Sequence, residues 1–129
     1  MMTVLIVDDD RNLCDCLVCL IPWSKLGCSM PLVAYNGMEA LKILREREVD
    51  FVLCDLKMPV LGGADLAKKI REEKRNMEIV FLSAYEDFET ARAALQYGVT
   101  DYVLKPVSTE CLSRLKSLIE KAVRKRSVT

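Results

Sequence analysis

The residues best suited to chemistry are polar groups that directly follow apolar runs. Asp8, Asp9 and Asp10 come straight after VLIV, and Asp55 straight after FVLC. Ser83 closes IVFLS, and Lys105-Pro106 follows YVL. A carboxylate at the end of a buried strand is costly to desolvate unless a cation or hydrogen-bond donors compensate. Carboxylates brought together raise one another's pKa unless a cation intervenes. A hard, oxygen-liganded ion such as Mg²⁺ (or Mn²⁺) suits such a set. An Asp beside that ion can act as a nucleophile toward phosphorus. The ion and the lysine ammonium then offset charge on phosphoryl oxygens, and a serine hydroxyl can donate a hydrogen bond to one of them. Each residue also has a plainer role: Asp10 is expected to cap the first helix, Ser83 could close a turn, and Lys105 could be a surface charge. What favours chemistry is that four different strands end in polar groups on one edge.

That edge exists only if the elements alternate. Residues 3–7, 30–34, 51–54, 79–82 and 102–104 read as strands. A helix over 11–20 stops before Pro22. Met38, Leu41 and Leu44 mark a second helix after Asn36-Gly37, and Leu66, Ala67 and Ile70 a third after Gly62-Gly63. Phe88, Ala91, Ala94 and Leu95 mark a fourth, with Gly98 placed as its C-terminal cap. Cys111, Leu112, Leu115, Leu118, Ile119 and Ala122 form the stripe of the fifth. Five strands alternating with five helices imply right-handed βαβ units around a parallel sheet, an α/β fold. VLIV, FVLC and IVFL are continuous apolar runs, as strands covered on both faces should be. Ligands of such a sheet bind at the carboxyl ends of its strands, where the polar residues lie.

Composition excludes other classes. The chain has 129 residues, of which 51% are hydrophobic, enough for one domain with one core. Its 19 basic and 19 acidic residues cancel, which argues against a nucleic-acid or membrane binder. Neither a membrane span nor a signal peptide is evident, so a cytoplasmic protein is expected. The six cysteines do not resemble a disulfide framework. Cys14, Cys16 and Cys19 fall in an apolar helical pattern, no histidine accompanies them, and all three are expected to be core residues rather than metal ligands. The basic stretch at the end loses its apolar spacing. Residues 1–123 are therefore taken as the domain and 124–129 as a tail or the start of a linker.

LIVDDD, LCDLKMP, FLSAY and DYVLKP together resemble, in order and spacing, the signatures of receiver domains of two-component response regulators. The resemblance implies a flavodoxin-like, doubly wound (βα)5 fold with strand order 2-1-3-4-5. It makes Asp55 the phosphoacceptor. Asp8 and Asp9 become the metal-binding pair, Asp9 directly and Asp8 through water, and the Lys57 backbone carbonyl completes the metal site. Ser83 and Tyr102 would be the switch residues, Lys105 would pair with the phosphoryl group, and the bond to Pro106 would be cis. Lys57 and Tyr85 take variable positions expected to set the lifetime of the phosphorylated form. Gly62 departs from the family, which often has an acidic or polar residue there. The phosphoryl donor implied is a sensor histidine kinase, as in a phosphorelay. The readout implied is the surface of the fourth helix, fifth strand and fifth helix, which leaves open a homodimer through that face.

The domain would catalyse only its own phosphorylation and dephosphorylation. WSKLG and YEDFETARAALQYGVTDYVLKPV are similar to receivers joined to AraC-type helix-turn-helix domains, so DNA would be contacted only by an output domain outside these residues. Two other readings compete. A haloacid-dehalogenase-like phosphotransferase would use Asp8-x-Asp10, but would leave Asp55 idle and lacks a later acidic pair. A flavodoxin-like binding module should have a Ser-, Thr- and Gly-rich loop where three aspartates stand.

Overall fold

The computed structural model describes residues 1–73, 75–84 and 88–127, the side chains of 88–91 and 127 apart. The elements alternate as β1 (Val4–Val7), α1 (Arg11–Leu20), β2 (Leu32–Ala34), α2 (Gly37–Glu46), β3 (Phe51–Cys54), α3 (Gly63–Glu72), β4 (Glu78–Ser83), α4 (Phe88–Gln96), β5 (Asp101–Leu104) and α5 (Thr109–Ser127). The five strands form one sheet in the order β2-β1-β3-β4-β5, and each neighbouring pair is parallel. The fold class and strand order are those expected from the sequence.

Successive strand residues point to opposite faces, so each apolar run feeds two cores. Val4, Ile6, Leu53, Val80, Leu82 and Val103 pack with Cys14 and Leu17 of α1 and with Cys111, Leu115 and Ile119 of α5. Leu5, Val7, Val52, Cys54, Ile79 and Phe81 pack with Leu41 and Leu44 of α2, Leu66 and Ile70 of α3 and Ala93 of α4.

Local chemistry sets the helix ends. Asp10 caps α1 by accepting from the Leu13 N–H at 3.1 Å. Asn36 caps α2 through the Glu39 N–H at 2.9 Å, and Glu39 reaches back to the Tyr35 N–H. α3 starts at Gly62, whose lack of a side chain leaves that helix without a side-chain cap. After α4, Gly98 takes φ +60°, the left-handed region where glycine is unstrained.

The expectations for Cys16, Cys19, Met38 and Leu95 need correction. Cys16 and Cys19 are exposed; only Cys14 of that trio is core, because a helix that buries Cys14 and Leu17 turns residues 16 and 19 outward. Met38 and Leu95 are exposed too; α2 buries Ala40 beside Leu41 and Leu44, and α4 buries Ala93, with Ala94 partly covered. Phe88 and Ala91 lie outside the described side chains. Residues 124–127 continue α5, whose Lys125 pairs with Glu78 and Arg126 with Asp50. The sequence also gave no sign that residues 22–29 form a built loop. There Trp23 is buried, donates its ring N–H to the Val18 carbonyl at 3.2 Å, and lies beside a bridge between Met2 and Cys28.

Candidate phosphoacceptor site

The site is assembled by the sheet's own ladder, extended one residue past each strand. Val7 pairs with Cys54. The Asp55 N–H then donates to the Val7 carbonyl at 2.9 Å, and the Asp8 N–H to the Ala34 carbonyl at 3.1 Å. Ser83 pairs with Leu104, and the Lys105 N–H donates to the Ser83 carbonyl at 2.8 Å. Backbone hydrogen bonds thus fix the Cα atoms of Asp8, Asp55 and Lys105 before any side chain interacts. The Lys105–Pro106 bond is cis.

The loop between β3 and α3, residues 55–62, is held from behind by close backbone approach. A Cβ placed on Gly63 would lie 2.2 Å from the Asp55 carbonyl oxygen, so the start of α3 meets the backbone of residue 55 at a distance that no side chain permits. Gly37, at the start of α2, is pressed in the same way against Leu61 of that loop.

Asp8, Asp55 and Ser83 are buried, whereas Asp9 is exposed. Carboxylate oxygens of Asp8, Asp9 and Asp55 lie within 4.8 Å of one another. The Lys105 ammonium lies 2.9 Å from Asp8 Oδ2 and 3.3 Å from Asp55 Oδ2. Asp8 Oδ1 accepts from the Asp10 N–H at 2.9 Å. Asp8 Oδ2 is close enough to Lys105 for an ion pair, but no hydrogen bond of good geometry reaches that buried oxygen among the described residues. Burial holds the Asp8 carboxyl above its usual range, opposed by the Asp10 N–H and Lys105 and reinforced by Asp55. Burial pulls the Lys105 ammonium down, but the two carboxylates outweigh it and raise its pKa.

Two of the three carboxylates therefore share one ammonium, and the buried Asp8 Oδ2 meets it without a hydrogen bond of good geometry. An all-oxygen set of this kind fits a hard divalent cation, and soft or nitrogen-preferring metals find no ligand here.

The remaining sequence-derived residues surround this cluster. Ser83 closes β4, and Lys57 is exposed on the loop after β3. Tyr102, half-buried in β5, lines a cavity of about 430 Å³ together with Lys105, Pro106 and Cys111. Tyr85 lies outside the described residues. Nothing in the sequence hints that Val60, in the loop after β3, holds φ +73° while 78% exposed. A β-branched residue in that region is strained. Nor does the sequence foretell a second cavity, of about 450 Å³, between α1 and the segment after β5.

The response regulator receiver domain family matches residues 4–116. The uncharacterized transcriptional regulatory protein YesN of Bacillus subtilis is 34% identical over 120 residues, which is 92% of this chain and 33% of YesN. The chain spans less than half the length of the curated relatives it matches. Among solved structures, the receiver domain of AraT, a response regulator from Geobacillus stearothermophilus, is 28% identical with a TM-score of 0.86, covering 98% of both chains. A two-component transcriptional regulator AraC from Clostridium phytofermentans is 27% identical with a TM-score of 0.80, covering all of both chains. The family model matches residues 4–116, far more than half of the chain: this chain belongs to the response regulator receiver domains.

Proposed function

We propose that Asp55 accepts a phosphoryl group and that the domain passes this event on as a change of surface. The observation that carries this reading is the convergence of Asp8, Asp9 and Asp55 oxygens within 4.8 Å, with Lys105 against two of the three carboxylates. In the transfer, an Asp55 oxygen bonds to phosphorus as the bond from phosphorus to its donor breaks. The expected donor is a phosphohistidine of a sensor kinase. Asp9, Asp55 and the Lys57 carbonyl would hold Mg²⁺ or Mn²⁺ directly and Asp8 through water; the ion would supply positive charge that offsets the phosphoryl oxygens. Lys105 supplies a second positive charge from the opposite strand, and the Ser83 hydroxyl donates to a phosphoryl oxygen.

Phosphorylation adds roughly 1.5–2 negative charges and three acceptor oxygens. Ser83, drawn toward them, leaves room that Tyr102 turns to fill, which changes the α4–β5–α5 face. That face is the expected signalling surface and the expected site of a homodimer. Lys57 and Tyr85 set access of water to the phosphorylated residue, and hence its lifetime. The domain turns over no other substrate. The likeness to YesN and to the AraC regulator supports transcription as the output, through an AraC-type DNA-binding domain beyond these residues in a cytoplasmic protein. No described helix is long and apolar enough to cross a membrane.

The test is labelling by acetyl phosphate in Mg²⁺. Wild-type protein should take up one phosphoryl group, lost again in alkali, and Asp55→Asn should take up none. Undiminished labelling of the variant would move the acceptor elsewhere.

A further inference from the structure

Helix α1 carries two thiols that the acceptor site does not use. Cys16 and Cys19 are both free and exposed, while Cys14, Cys28, Cys54 and Cys111 are buried. Three residues apart on a helix, they lie about 60° apart around its axis and one turn apart along it. The opposite side of α1 is anchored in the core by Cys14 and Leu17, which keeps the pair facing outward.

We propose that Cys16 and Cys19 form a two-thiol chelating site for a thiophilic centre of the trivalent-arsenic class. Helix geometry selects the chemistry. Cβ atoms three residues apart stand about 5–6 Å from each other. A disulfide needs roughly 3.5–4.5 Å, so the intact helix holds the sulfurs too far apart for a direct bond. The gap suits a single bridging atom. A structural zinc site needs four protein ligands. Among the described residues, however, Asp8, Asp9 and Asp55 form the one cluster of three or more metal-ligating groups, and neither thiol belongs to it. Two thiolates suffice for a trivalent centre that carries its third substituent itself. An organoarsenic(III) centre does this, and thiolate is its preferred ligand type.

The structure also has room for that substituent. Cys16 lines the cavity of about 450 Å³ beside α1, whose walls include Leu13, Ala84, Pro106 and Val107. An aryl group on arsenic can lie against these apolar side chains. With phenylarsine oxide as the probe, both S–H bonds break, two As–S bonds form, and the oxide oxygen leaves with both protons as water; arsenic stays trivalent. Cys14, two residues before Cys16, does not compete, because its side chain is fully enclosed in the core.

The experiment treats reduced full-length chain with phenylarsine oxide, adds excess monothiol, and weighs the intact protein. Wild type should keep one phenylarsenic unit at the expense of two hydrogens, and release it to a dithiol competitor. Closing the second As–S bond within the helix should strengthen retention about 10²–10⁴-fold. Cys16→Ser and Cys19→Ser should each lose that factor, while Cys14→Ala retains the adduct. Circular dichroism checks that each variant is folded. No adduct on the wild type, equal retention by the single serine variants, or loss of the adduct in folded Cys14→Ala would each overturn the assignment.

Discussion

Asp8 shows how much of the site's character rests on a single side chain. It is almost fully buried, one of its oxygens lacks a hydrogen bond, and it shares Lys105 with Asp55. Because its folded pKa is raised, the metal-free folded chain holds that proton more tightly than the unfolded chain does. Its destabilising effect is therefore absent below the ordinary value of 3.8 and grows as pH rises from there through the folded pKa. Asp8→Asn keeps the oxygen that accepts from Asp10 and removes one of three competing charges, leaving Lys105 paired with Asp55. Metal-free Asp8→Asn should be more stable than wild type at pH 7 by about 1 kcal/mol, or roughly 3–5 °C in Tm, and the gap should close toward pH 4. Thermal melts at the two pH values check this; a variant less stable at pH 7 would mean that the Asp8–Lys105 pair outweighs the burial cost. The positions of Asp8, Asp55 and Lys105 were legible in the sequence, because a polar residue ending an apolar run must lie at a strand's end. The shared lysine and the orphaned oxygen were not, since both depend on rotamers that no spacing encodes.

At the level of elements, the loop that carries Asp55 is positioned by where α3 begins. The ideal Cβ of residue 63 falls 2.2 Å from the Asp55 carbonyl oxygen and 3.0 Å from Leu56 Cα. Both are backbone atoms that no rotamer change can move. Gly63→Ala must displace either the first turn of α3 or the acceptor residue itself, at about 1–3 kcal/mol by analogy with overpacked cores. Gly98→Ala is the matched control: its φ of +60° is strained for alanine, but nothing lies within 4 Å of the added methyl. It should cost about 1–2 kcal/mol and leave acetyl phosphate labelling unchanged, whereas Gly63→Ala should lower labelling well beyond its effect on stability. Equal labelling of the two variants would show that the loop yields without moving Asp55. Apolar periodicity located the helices but misjudged the faces of α1, α2 and α4. Cys16, Cys19, Met38 and Leu95 are apolar by type, so counting them as core was natural. Which side of a helix meets the sheet is settled by packing against residues distant in sequence, and that packing chose Cys14 with Leu17, and Ala93 over Leu95.

For the molecule as a whole, the alternation of strands and helices implied the parallel sheet, and the order 2-1-3-4-5 came with the family resemblance. The reach of α5 followed from neither. Arg124, Lys125 and Arg126 read as a tail or the start of a linker because the apolar spacing stops there; what lies opposite them is the lower edge of the sheet, where Asp50 precedes β3 and Glu78 opens β4. Those partners are far off in the sequence, so only the folded chain brings them to α5. Both pairs are largely solvent-exposed on the basic side and are worth about 0–1 kcal/mol each. Ile119 and Ala122, the last buried residues of the helix among those described, precede them. Removing residues 124–129 should therefore leave both cores closed and cost about 1–2 kcal/mol, lowering Tm by roughly 3–8 °C. Labelling of Asp55 by acetyl phosphate should be unaffected, because the lost turn lies at the end of the sheet opposite the carboxylates. A truncated chain that fails to fold, or folds but no longer labels, would place the end of the domain beyond residue 123 and make the last turn of α5 part of what holds the sheet together.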